Sequence, residues 1–243
     1  MKKIIVSLCF GLLIAVSGSP VKAQVPIVHG NANVWFLLLN HYRFAPRWKL
    51  GNEIHLRRDA WLRDQQQWII RPYIDFKLHN KVHLTAGYSY LNTAPYGDYP
   101  LSTNQPEHNV WEQVVIKNKI GKNSIAHRYR MEHRFRGVLD QNAAGEPIVD
   151  GYAFSNRFRY RFIYKRDLND KFFIHAFDEI WFNFNDKFQL TSFDRNWIYA
   201  GLGWKFVPGG NMQVAYLHQW GRNTVNRYER HHSLQFTLQY DIL

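Results

Sequence analysis

The chain has 243 residues, a formal net charge of +12 at pH 7, 16% aromatic residues and a single cysteine, Cys9. So many rings beside a negative mean hydropathy do not describe a soluble domain built on an aliphatic core. No stretch beyond the first two dozen residues reaches the ~20 consecutive apolar residues of a membrane-crossing helix, so helical membrane proteins are excluded as well.

The N-terminus reads as an export signal. Lys2 and Lys3 form a positive start, Ile4 to Val16 an apolar run, and "SGSPVKAQ" places Val21 and Ala23 at the −3 and −1 positions of a cleavage site. The apolar run is too short to span a bilayer. Residues 1–23 are therefore expected to be a secretory signal peptide, cut near Ala23, and residues 24–243 one exported domain. Cys9 leaves with the signal, so no thiol, disulfide or cysteine metal site is expected in the mature chain. Export also removes nucleic acid as the partner that a basic chain would ordinarily suggest.

From there on helical periodicity is nearly absent and period-2 alternation recurs. Strands are predicted at 33–44, 47–59, 66–78, 81–92, 107–118, 123–137, 153–166, 171–185, 194–206, 211–221 and 229–242. "RFAPRW", "LHNK", "KIGKN", "RDLNDK" and "VPGGN" mark short turns, and 93–106 and 137–151 longer loops. Most of these segments are longer than the usual five or six residues and suit the ~9–11 tilted residues that cross a bilayer. Bacterial single-chain barrels have even strand numbers with short turns on the periplasmic side. Starting at 47–59 gives ten strands whose short turns share a side with the C-terminus. The segment 33–44 is then left over, as an eleventh strand beside a short twelfth near 25–30 or elsewhere. The expectation is a single antiparallel up-and-down transmembrane β-barrel of ten to twelve strands.

Which face is inside follows from charge. "RYRMEHRFR" puts Arg128, Arg130, Glu132, Arg134 and Arg136 on one face and Tyr129, Met131, His133 and Phe135 on the other; "RFRYRF" does the same with Arg157, Arg159 and Arg161. An arginine facing lipid at the midplane costs ~2–4 kcal/mol. Seven would cost on the order of 14–28 kcal/mol, more than the ~5–15 kcal/mol stability of a typical domain. In a membrane barrel these arginines must face the lumen. Aromatic and aliphatic faces such as Trp68, Ile70, Ile74, Phe76 and Leu78, or Leu234, Phe236, Leu238, Tyr240 and Ile242, then face lipid. Glu132 is expected beside the Arg157 series, relieving like-charge repulsion, with Glu53, Asp75, Glu107, Glu179 or a bound anion balancing the rest. His127, His133, Glu112 and Asp178 fall on the lipid side, and bulges or interfacial positions are expected there.

"LRR", "RPYIDF", "GYSY", "EHNVWEQ", "HRYRMEHRF", "RFRYRF", "DEIWFNF", "FDRNWIYAGLGW" and "YLHQWG", in this order, resemble an uncharacterised family of outer-membrane β-barrels of Gram-negative bacteria. The resemblance covers essentially the whole mature chain. It implies an outer-membrane location, with lipids and the barrel-assembly machinery as partners, and no activity. The recurrent polar positions it implies fall on Arg57, Arg71, Glu107, Trp111, Gln113, Arg128, Arg130, Glu132, Arg134, Arg157, Arg159, Glu179, Asn183, Arg195 and Gln219. The chain ends Tyr240-Asp241-Ile242-Leu243, departing from the terminal aromatic residue that aids assembly of many bacterial barrels.

Catalytic patterns fare poorly. His231 and Ser233 form a His-x-Ser pair of the kind some outer-membrane lipid hydrolases use, yet alternation turns both inward, away from lipid. His231 and His232 diverge on a strand, as do Asp178 and Glu179. No metal site, cofactor or enzymatic activity is expected. The charge network of Arg57, Arg71, Arg128, Arg130, Glu132, Arg134, Arg157, Arg159, Arg161, Glu179 and Arg195 leaves two readings. One is a narrow channel for small anionic solutes. The other is a plugged scaffold whose outer loops bind a ligand.

Overall fold

A computed structural model describes residues 27–242, apart from 99, 225 and 226; the expected signal peptide and its cut near Ala23 lie outside the described residues. Eleven strands follow one another: β1 (Ile27–Ala45), β2 (Trp48–Asp59), β3 (Asp64–His79), β4 (Val82–Thr93), β5 (Gln105–Ile120), β6 (Asn123–Gln141), β7 (Pro147–Asp167), β8 (Phe172–Phe184), β9 (Leu190–Val207), β10 (Gly210–Thr224) and β11 (Arg227–Ile242). They close into one barrel in chain order. All eleven predicted segments are strands, and the architecture is all-β.

Three details differ from expectation. The predicted long loop 137–151 shrinks to 142–146, because β6 and β7 keep pairing through Gln141↔Pro147. Residues 27–30 are not a twelfth strand but the start of a nineteen-residue β1. The strand number is therefore odd, and an odd number makes the first and last strands run the same way. The closing seam is accordingly parallel, from Ile27↔Arg227 to Tyr42↔Ile242, while every other ladder is antiparallel.

The connections β1–β2, β3–β4, β5–β6, β7–β8 and β9–β10 are short and lie at the mouth where β11 ends. The start of β1 and the longest connection, 94–104, lie at the opposite mouth. We call these the C-terminal and N-terminal mouths.

Alternation sets the two faces. Along β11, His231, Ser233, Gln235 and Thr237 are buried while His232, Leu238, Tyr240 and Ile242 are exposed. The outer surface is apolar along Leu50, Ile54 and Leu56, Ile70, Ile74 and Leu78, and Val110, Val114 and Ile116. The interior holds an aromatic cluster of Trp35, Phe177, Trp181, Trp197 and Tyr199 with Ala215 and Leu217. Rings lie flat on the inner wall where glycine makes room. A Cβ on Gly203 would stand 2.0 Å from the Phe173 ring, and one on Gly87 2.4 Å from that of Trp111.

The four discordant polar residues do face outward, but no bulge accompanies them; each finds a neighbour instead. His133 contacts Glu112 at 3.3 Å and Asn156 at 2.7 Å. His127 reaches the Tyr160 hydroxyl at 2.9 Å, and Asn196 donates to Asp178. Cross-strand pairing satisfies them without re-aiming the backbone.

Candidate functional site

The site grows out of the β6–β7 hairpin. Its register sets Glu132 directly opposite Arg157, but also Arg130 opposite Arg159 and Arg128 opposite Arg161. Like charges facing each other destabilise a sheet, so the hairpin needs anions from elsewhere. β8 supplies one, because Arg161 pairs with Glu179. The Glu179 carboxylate accepts from Arg159 Nε at 2.9 Å, from Arg161 Nε and Nη2 at 3.0 and 2.5 Å, and from Arg128 Nη2. Glu132 accepts from Arg157 Nε at 2.7 Å and Arg159 Nη1 at 2.6 Å, with Arg130 Nη1 3.8 Å away. Arg159 thus joins the two carboxylates, both fully buried.

The network extends along the wall. Arg134 forks onto Glu107 at 2.8 and 2.7 Å. Arg71 binds Glu53 at 2.6 Å and donates to Ser89, which also accepts from the Trp111 indole. Gln113 holds Arg130 through Nε and Nη2 at 2.9 and 2.7 Å. Indoles and phenyl rings complete the lattice as cation–π partners: Arg130 lies 3.9 Å from Trp111, Arg159 3.8 Å from Trp181, Arg161 3.9 Å from Phe177 and Arg57 3.9 Å from Trp35. The sequence-predicted network residues are thus brought together on the inner wall.

Asp194 is the member of this network that alternation misses. Beside inward Arg195 it should face out, but a bulge in β9 between Phe193 and Arg195 turns both inward. Asp194 is buried, 3.1 Å from Arg195 and 3.5 Å from Arg157. Asp75, in contrast, pairs with no arginine among the described residues. It accepts from Thr85 at 2.9 Å and contacts His83 at 2.8 Å. The indoles of Trp35, Trp181 and Trp197, buried in the interior cluster, also escape a search for charged patterns.

A cavity of about 620 Å³ runs inside this wall. Among the described residues it is lined by eleven lysines and arginines against two carboxylates, Glu53 and Glu107. Glu132, Glu179 and Asp194 lie behind the guanidinium groups and do not line it. Where β10, β11 and β1 line the cavity they bring Gln213, Gln235, Thr237, Leu37 and Leu39, with His41, which contacts Asp241 at 2.6 Å. Toward the C-terminal mouth a void of about 610 Å³ shares Ser124 and Lys165 with the cavity. A side void of about 260 Å³ shares Glu53 and Arg128. Tyr96, from the 94–104 connection, lines the cavity at the N-terminal mouth, where burial raises its phenol above the usual range.

His231 and Ser233 point inward and are buried. His231 Nε2 contacts the Glu229 carboxylate at 3.0 Å, and Ser233 Oγ accepts from Gln219 at 2.8 Å. His232 points out to Tyr216.

A family model described as a protein of unknown function (DUF2490) matches residues 32–230. No curated protein and no solved structure matches the chain. The match takes in β2 to β10 whole, most of β1, the first four residues of β11 and every residue of the arginine–carboxylate wall: the chain belongs to the DUF2490 family.

Proposed function

We propose that this barrel spans the outer membrane of a Gram-negative bacterium after export and removal of residues 1–23. Its lumen is a narrow route for small anionic solutes. One observation carries the reading: the carboxylates of the wall are recessed behind the arginines, so the cavity presents eleven cationic side chains and two anionic ones. Low-dielectric walls focus such a field, and rings of arginine and lysine select anions in pores. The apolar outer surface supports a lipid environment, in which membrane lipids and the assembly machinery are the barrel's partners. No catalytic role is part of this reading.

The test is single-channel conductance of the folded protein in a planar bilayer, with folding checked by a heat-dependent gel shift. Discrete, anion-preferring steps are expected. Silence from a folded barrel overturns the open route. It would favour the second reading, a plugged scaffold with ligand-binding loops, for which the saturation of Glu132 and Glu179 by arginines already speaks.

A further inference from the structure

Among the described residues, most cavity-lining arginines reach a carboxylate; Arg57 does not. Its Nη1 donates to the neutral Gln67 Oε1 at 2.7 Å. The guanidinium lies 3.9 Å from the Trp35 ring and 5.6 Å from that of Trp197. Trp197 is 5.4 Å from Trp35 and 4.6 Å from Trp181, ring centre to ring centre. The unpartnered buried side-chain atoms of the cavity lining share one chemistry. Arg57 Nε, Arg128 Nε, Trp181 Nε1 and Trp197 Nε1 are all N–H donors, with no acceptor among them. Unpaired buried donors are costly, so what completes this wall is an acceptor.

We infer that the indole-lined side of the lumen around Arg57 seats a small organic carboxylate with a flat apolar body. The inference rests on the reading of the lumen as a place for anions and names their class. A carboxylate matches the Nε/Nη2 edge of a guanidinium in two parallel hydrogen bonds, and that is the edge Gln67 leaves untouched. A flat body gains from the indole faces. An inorganic anion gains nothing from them and gives up its hydration.

The test uses benzoate, acetate and inorganic phosphate, each titrated into the folded barrel in detergent and read by calorimetry and indole fluorescence. Benzoate is expected to saturate and to bind about tenfold tighter than acetate or phosphate. Arg57→Lys, which keeps the charge and loses the fork, should weaken benzoate about tenfold. Trp197→Phe keeps a ring, loses the N–H and should weaken it severalfold. Equal binding of the three probes overturns the inference and leaves water as the acceptor. So does benzoate binding unchanged in both variants while each keeps the heat-dependent gel shift. Conductance of the same preparations separates the two readings. A conducting barrel indifferent to benzoate loses the seat and keeps the route; a silent barrel that binds benzoate keeps the seat and loses the route.

Discussion

Glu132 accepts from two arginines and stands 3.8 Å from a third, so its charge matters more than its volume. Glu132→Gln keeps the shape and removes the anion, leaving Arg157 and Arg159 sharing one carboxylate fewer in a buried wall. Removing one partner of a buried pair costs ~3–5 kcal/mol, and denaturant unfolding of the variant should fall by about that amount. Arg130→Glu belongs to the same class. Arg130 is 2% exposed, stacked on Trp111 and near Glu132, and it does not line the main cavity. Its reversal should lower stability and leave ion preference little changed, as conductance of the surviving folded fraction would report. Lys165 is the better probe of selectivity, since it lines both the cavity and the void at the C-terminal mouth. Lys165→Glu should shift ion preference toward cations with the folding gel shift intact.

The strands themselves were legible because each must show two chemically different faces, and a period of two leaves its mark on every residue. Strand number within the expected range, the turns at the C-terminal mouth and the inward aim of the arginines all follow from that pattern. Bulges did not. One extra residue at Asp194 reverses the facing of its neighbour, and nothing in the local composition of "FDRNW" announces it. Inward glycines were likewise silent, because their purpose is to receive a ring from an adjacent strand. Phe173 rests on Gly203, so Gly203→Val should displace the ring and destabilise the β8–β9 ladder. Ile174 and Leu202, which face outward on the same pair of strands, should tolerate Ile174→Val with a change of ~0.5 kcal/mol or less. Thermal unfolding of the two variants side by side checks the contrast.

At the scale of the whole molecule, the parallel β1–β11 seam places the start of β1 and the end of β11 at opposite mouths. A tag ahead of β1 and one after β11 should therefore be reached by membrane-impermeant label from opposite sides of a bilayer. Labelling of both from one side would contradict an eleven-strand closure. The same closure sets the arginines of β2, β3, β6, β7 and β9 to one side of the cavity and the amides and hydroxyl of Gln213, Gln235 and Thr237, on β10 and β11, to the other.

The sequence by itself determined the all-β class, the eleven segments and the inward aim of the arginines, since alternation and the cost of exposing arginine to lipid act on every residue locally. Only the tertiary structure decided how the barrel closes, which carboxylate serves which arginine, and that Arg57 is left with indoles instead of an anion. Those outcomes depend on register, bulges and the pairing of strands about two hundred residues apart, such as His41 with Asp241, which no local pattern encodes.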